Sequence, residues 1–243
     1  MDKFISPGNN VNLRQIREAE RFSHIEVYKS RKLFREGSWL QKPVRTITDL
    51  YPCFETCGDI RMLDLGCGVG RNCIPFAMRF PETCKIEGVD ILETAITMLH
   101  ENCVKYGVEK NITGHIAPLE YYPIRKNSYD FIIAVSALEH VESETAFTDI
   151  LWKIGNGISK NGMVCLIINS DITEIDLEKG CQVTPQFEVN MKTETLIELI
   201  NAVFCGWKTE KLTEKQQSYE IPRAFGTVQL NTCVVTYVGR RMD

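Results

Sequence analysis

The sequence predicts an α/β fold in which a mostly parallel sheet is covered on both faces by helices. Three observations carry that expectation. From about Met62 onward, short apolar runs alternate with segments of helical period, the rhythm of strand–helix–strand units. Gly66, Gly68 and Gly70 stand where the first apolar run gives way to a helical pattern. The chain has 243 residues, 44% of them apolar and 25% charged, enough for one enzyme-sized core and too apolar for disorder.

Met62 to Leu65 reads as the first strand, Lys85 to Asp90 as the second, Asn111 to Ile116 as the third, Tyr129 to Val135 as the fourth and Met163 to Asn169 as the fifth. Between them Ala95, Leu99, Cys103 and Tyr106, and then Phe147, Leu151, Ile154 and Ile158, recur at steps of three and four, as amphipathic helices require. Past Asp171 a polar insert containing Gly180 and Pro185 precedes a helix with Leu196, Ile197, Ile200 and Val203 on one face. Trp207 to Leu212 and Thr232 to Gly239 are closing strands. The polar stretch between them, with Pro222 and Gly226, fits an antiparallel hairpin. Upstream, Arg14 to Arg35 is dense in both signs of charge with Phe22, Ile25, Tyr28 and Phe34 interleaved, which predicts a helical cap ending near Gly37. A second helix is expected over Pro43 to Phe54, since proline suits a first turn. The division that follows is a cap over residues 1–41 and a ligand-binding domain over 42–243, with 170–192 as an insert on the side of a second ligand.

Composition excludes several classes. With 28 Lys+Arg against 32 Asp+Glu the formal net charge is −4, so no broad basic face is available for nucleic acid. No apolar run approaches the roughly 18 residues of a membrane span, and the amino terminus lacks a basic start followed by an apolar stretch. A cytoplasmic location is the expectation. The ten cysteines are scattered without a CxxC pair, several inside apolar runs, and read as reduced core thiols. No histidine pair has metal-ligand spacing, and no metal is expected.

The informative segment is Leu63-Asp64-Leu65-Gly66-Cys67-Gly68-Val69-Gly70-Arg71-Asn72. Glycines there let the backbone turn sharply and let a ligand approach main-chain atoms that a β-carbon would block. A dinucleotide fingerprint would be G-x-G-x-x-G, but Arg71 sits where its last glycine belongs, and the phosphate loop G-x-x-x-x-G-K-[ST] is absent. Asp90 ends the second strand; a carboxylate there accepts both hydroxyls of a ribose, and the apolar Ile91 after it lies against a base. The ligand these residues describe is an adenosine.

With those residues the sequence resembles the class I S-adenosylmethionine-dependent methyltransferases, most specifically over Met62 to Asn72, Gly88 to Ile91 and Tyr129 to Val141. Leu138-Glu139-His140-Val141 is similar to the branch that methylates quinones and other small molecules, and Gly70-Arg71-Asn72 to tellurite-resistance methyltransferases. The resemblance implies a Rossmann-like seven-stranded, mostly parallel sheet with helices on both faces and the last strand antiparallel. It also implies S-adenosylmethionine as cofactor: Gly66, Cys67, Gly68, Gly70 and Asn72 around its methionine part, Asp90 on the ribose and Ile91 on the adenine. The backbone of Val135 would meet the amino group and Arg45 the carboxylate. Leu119 and Glu120 would be the adenine-side contacts, although Pro118 stands where the family often has an acid.

Several residues admit two readings. Asp64 either touches the cofactor or orients the loop through main-chain hydrogen bonds. His140 follows the fourth strand on the acceptor's side, as a base for an acceptor proton or as a local cap. Tyr28 and Trp39 line an acceptor pocket beneath the cap or form the small core that anchors it. Direct displacement from a sulfonium asks chiefly for alignment and exclusion of water, so few catalytic side chains are expected. The absence of Asn/Asp-Pro-Pro-Tyr/Phe after the fourth strand argues against nucleobase N-methylation. The leading expectation is an enzyme acting on a small-molecule acceptor. A protein or RNA methyltransferase, a non-catalytic cofactor-binding module and a dehydrogenase are the alternatives.

Overall fold

The computed structural model describes residues 25–26, 28, 30–223 and 225–242. The charged stretch from Arg14, Phe22 included, therefore lies outside the described residues up to residue 24. Eight strands form one sheet: β1 (Ile60–Leu65), β2 (Cys84–Asp90), β3 (Ile112–Ile116), β4 (Tyr129–Val135), β5 (Ile158–Asp176), β6 (Cys181–Val183), β7 (Lys208–Arg223) and β8 (Gly226–Arg240). Their order is β3-β2-β1-β4-β5-β8-β7, with β6 paired to β5 off that path. The first five pair in parallel, and β8 runs antiparallel to both β5 and β7. Helical residues occur at 25, 26, 28 and 30, and the α-helices whose bounds lie among the described residues are α1 (Arg45–Thr48), α2 (Cys73–Arg79), α3 (Glu93–Tyr106), α4 (Glu144–Gly157) and α5 (Thr193–Val203).

The central strands are apolar on both faces because both faces are covered. Met62, Phe131, Ile133 and Cys165 pack with Phe76 of α2 and Leu99 of α3, while Leu63, Ile132, Ala134 and Leu166 pack with Leu151 of α4 and Leu196 of α5. That period of two places Asp64 on the same face as Met62, under the start of α2. Ser143 caps α4 by accepting from the Ala146 N–H at 3.1 Å, and Gly107 ends α3 at φ +68°.

The structure departs from the sequence reading where polar residues are extended. The stretch after Leu212, expected as a connection, is strand: β7 and β8 form a long hairpin paired from Lys208↔Arg240 to Arg223↔Gly226. β5 likewise continues beyond Asn169, through a bulge at Ser170/Thr173, to Asp176. Cross-strand main-chain bonding overrides low apolar content there. The expected seven strands become eight, since the polar insert itself contributes β6. Ile158 begins β5 rather than continuing α4, and Pro43 to Phe54 is α1 followed by a 3-10 turn at Tyr51–Phe54 rather than one helix.

The far end of this extension encloses an ion pair. Arg223 donates to both carboxylate oxygens of Glu174, through Nε at 3.3 Å and through Nη2, with their side chains 4% and 0% exposed. Removing one partner strands a buried charge, so Arg223→Met should cost about 3–5 kcal/mol in chemical denaturation. The double variant Glu174→Leu/Arg223→Met should recover most of that loss.

Candidate cofactor and acceptor site

The glycine loop folds over the carboxyl end of β2. Gly66 and Cys67 donate their N–H groups to the Val89 carbonyl at 2.8 and 3.0 Å, and Gly70 donates to Cys67 at 3.1 Å before α2 begins. Asp90 fastens the fold from the other side: Oδ2 accepts from the Gly68 N–H and Oδ1 from the Leu92 N–H, each at 2.9 Å. Gly66, Gly68 and Gly70 all have positive φ. At Gly66 the glycine also permits close approach, because a β-carbon would stand 2.3 Å from that of Ala137 in the turn after β4. The glycine loop and the β4 turn therefore touch.

Asp64 lies beneath this loop, fully buried, with Oδ2 lacking a hydrogen-bond partner. Burial pushes its carboxyl up to about 7, opposed by the hydrogen bonds of Cys73 and reinforced by Asp90. Tyr28 is buried against the same loop, its hydroxyl 2.8 Å from where a Gly68 β-carbon would be. Burial and the neighbouring Asp90, Cys67 and Asp64 hold that phenol well above its ordinary value. The structure thus brings Tyr28 to the glycine loop; Trp39 meets it edge-on at 6.0 Å and remains half exposed.

Two apolar side chains flank Asp90 without cover: Ile91, 49% exposed, and Ile116, 56% exposed, whose strand position is paired with Asp90. An acid between uncovered apolar side chains, above a glycine cradle, fits a nucleoside. Ile116 was not singled out from sequence, although its place at the end of β3 was legible. Leu119 and Glu120 are buried in a 3-10 turn, where the Glu120 carbonyl accepts from Lys153 at 2.7 Å. Val135 ends β4, followed by Ser136 at φ +47°.

Two arginines near the loop differ in setting. Arg45 opens α1 with its side chain 92% exposed and pairs with Asp49 at 3.7 Å. Arg71 occupies the more enclosed place, donating to the Lys42 carbonyl at 2.7 Å with its guanidinium 5.4 Å from the Trp39 ring. Asn72 accepts from the Val44 N–H at 3.0 Å, which ties the segment before α1 to the start of α2.

In the turn after β4, His140 Nδ1 lies 3.0 Å from Glu188 Oε2, and the imidazole stacks on Phe187 at 5.2 Å and 24°. Glu139 is fully buried; its Oε1 accepts from the side-chain and main-chain amides of Asn169, while Oε2 has no hydrogen-bond partner. Burial raises its carboxyl, and His140 and Asn169 pull it down. Glu188 lies 48 residues from His140 in a polar insert with no periodicity, so no local signal announced it.

Residues 62–154 match the family model described as a methyltransferase domain. TehB from Haemophilus influenzae superposes with a TM-score of 0.62 at 17% identity over 89% of this chain and 67% of its own. YcgJ from Bacillus subtilis superposes at 0.57, with 13% identity over 82% and 98%. A geranyl diphosphate methyltransferase in complex with SAM also gives 0.57, at 13% identity over 81% and 84%. Among curated relatives, norajmaline and ajmaline N-methyltransferases of Rauvolfia serpentina are 24% and 23% identical over 86 residues, which is 35% of this chain. The chain thus spans 29% of the length of those two relatives. Fold and glycine loop together define an α/β domain with a glycine cradle closed by an acid. More particularly, residues 62–154 are similar to methyltransferase domains, and the fold is shared with TehB.

Asp64 makes the stability of the loop pH-dependent. Its folded value lies above its ordinary 3.8, so its contribution is complete below that pH and is lost as pH rises through about 7. Asp64→Asn mimics the protonated acid at every pH. In thermal melts it should match the parent near pH 3, exceed it progressively as pH rises, and lead by up to about 4 kcal/mol near pH 8.

Proposed function

We propose that the protein transfers the methyl group of S-adenosylmethionine to a small-molecule acceptor. The observation that supports this reading best is the loop closed by Asp90 and flanked by Ile91 and Ile116, in contact with the turn that carries Glu139 and His140. The cofactor supplies an electrophilic methyl on a sulfonium. This chain's residues hold and align the partners: Asp90 toward the ribose, Ile91 and Ile116 along the adenine, and the glycine loop around the methionine part, with Asp64 bracing it. Gly66, Cys67, Gly68, Gly70, Asn72 and Val135 frame that part. Leu119 and Glu120 close the adenine side through their buried turn. Tyr28 covers the loop and excludes water from it. Arg71 replaces Arg45 as our candidate for the cofactor carboxylate, since it is the more enclosed of the two. His140 faces the acceptor as a proton acceptor.

A small acceptor accords with the two N-methyltransferase relatives, whose names give norajmaline and ajmaline. Residues 170–192, which contribute Glu188, form the acceptor's side of the site. No helix among the described residues is long and apolar enough to cross a membrane. The ten cysteines are free thiols, six of them buried, and a reducing compartment, the cytoplasm, suits them.

Asp90→Ala removes a charged hydrogen-bond acceptor worth about 1.5–3 kcal/mol, so calorimetry should show cofactor affinity reduced about tenfold to a hundredfold. Parent-like affinity would remove Asp90 from the site. With methyl-labelled cofactor and a metabolite extract, label should appear in a low-mass product. Label confined to protein or RNA would overturn the small-molecule reading, and binding without turnover would favour a cofactor-sensing module.

A further inference from the structure

One parallel crossover of the sheet carries no α-helix. α2, α3 and α4 lead from β1 to β2, from β2 to β3 and from β4 to β5, whereas residues 117–128, between β3 and β4, hold only the 3-10 turn Leu119–Tyr121. One face of β2 and β3 is therefore left uncovered toward its amino end. Ile86 and Ile112 on the opposite face are buried, while Lys85 and Thr113 on this face are exposed. The register sets Arg61 of β1 beside Lys85, on the same face by the period of two. Lys110 before β3 and Arg125 before β4 complete a rim of four cations around an open cleft of about 220 Å3, which Glu87 and Tyr129 also line.

The acids in this region are already engaged. Glu87 accepts from the Tyr122 hydroxyl at 2.8 Å, from the Tyr129 hydroxyl at 2.9 Å and from Arg125 Nη2. Asp130, next to Arg61, accepts the Arg61 N–H and the Ser159 hydroxyl, each at 2.8 Å, and its Oδ2 is 4.0 Å from Arg61 Nε. Lys85 Nζ donates to the Lys110 carbonyl at 2.9 Å, and among the described residues no carboxylate pairs with either lysine. Like charges at adjacent strand positions repel, so an anion between Arg61 and Lys85 relieves what their register imposes.

We infer that this cleft is a second ligand site, which takes the phosphate group of a small phosphorylated molecule. Four cations against the two carboxylates Glu87 and Asp130 leave two positive charges. A phosphate monoester, at about −1.5 to −2 near neutral pH, matches that balance, whereas a carboxylate leaves part of it unmet. Arg125 supplies the directed contact. Glu87 engages one of its five N–H donors, and the guanidinium stands 5.6 Å from the centre of the Tyr129 ring, so the donor fork is held in place with N–H groups to spare. The two lysines add point charges that adjust to the ligand. A single phosphate suits the cleft better than a nucleic acid strand, since the whole chain has a net charge of −4 and the rim is confined to one end of three strands. The cleft lies at the opposite end of the sheet from the glycine loop: Lys85 is near the start of β2 and Asp90 is at its end, about 16 Å along the strand. Its occupancy does not depend on which ligand the glycine loop takes.

Calorimetry and thermal melts on the full chain at constant ionic strength, with inorganic phosphate and glycerol 3-phosphate as probes and chloride as the reference anion, test the site. Both phosphates should bind saturably and raise the melting temperature. Lys85→Gln/Lys110→Gln and Arg125→Gln, changes at exposed side chains, should each weaken binding at least about tenfold. Lys215→Gln, on β7, should bind with parent affinity, and all of these variants should bind S-adenosylmethionine as the parent does. Absence of saturable heat with both phosphates, or parent-like affinity in Lys85→Gln/Lys110→Gln and Arg125→Gln, would overturn the site. A chloride series that reproduces the rise in melting temperature would also overturn it, because screening alone would then explain the effect. A single-stranded RNA oligonucleotide or a phosphoserine peptide that binds more tightly than glycerol 3-phosphate, and is lost in the same variants, would overturn the small-molecule ligand while retaining the phosphate contact. Should those variants fail to fold, Lys110→Gln alone decides the matter: a loss of about threefold supports the site and an unchanged Kd overturns it.

Discussion

The site depends on a single carboxylate closing a backbone turn. Asp90 accepts from Gly68 and Leu92 with its two oxygens, while Val89 behind it accepts from Gly66 and Cys67. These bonds satisfy N–H groups that a sharp strand-to-helix turn would otherwise leave unpaired at a nearly buried position. They also fix the height of the loop above the sheet, and that height determines where Tyr28 rests and how closely Gly66 approaches Ala137.

Asp64 completes this arrangement from below and at an energetic cost. A carboxyl with one oxygen unpartnered in the core favours the protonated state. The cost is tolerable because α2 begins directly over it, with Cys73 contributing hydrogen bonds, and because the loop above carries only backbone and small side chains. Both acids sit where the parallel strands end, so neither could be moved one residue without turning to the opposite face.

Legibility in the sequence followed the range of the interactions. The places of the loop, Asp90 and Ile91 in the fold were readable because their sequence signals are local: a strand end, alternating glycines and an acid on the neighbouring strand. The parallel core strands were readable because burial on both faces makes them continuously apolar. The extended ends of β5, β7 and β8 were not, since residues such as Lys215, Gln216 and Gln217 are extended only because β8 lies beside them. Arg45 and Arg71 show the same limit. A basic residue at a plausible distance from the loop is easily found, but whether it turns toward solvent or under Trp39 depends on how the segment before α1 is held, and Asn72 holds it.

The setting of His140 follows from those nonlocal strands. Because β5 runs on to Asp176 and β8 continues alongside it, the insert leaves the sheet well beyond the cofactor loop and must return across the β4 turn to reach α5. That return path carries Phe187 and Glu188 past His140. A shorter β5 would end near Asn169 and leave the imidazole without a carboxylate partner from this segment. The polar strand extension, which lacks the apolar content that usually justifies a strand, is thus explained by what it positions: the Glu174–Arg223 pair anchors its far end, and the clamp on His140 is the result. The shape of the glycine loop is set by short-range bonds within it, and the surroundings of His140 by long-range bonds within the hairpin. The two regions can therefore vary independently on one sheet.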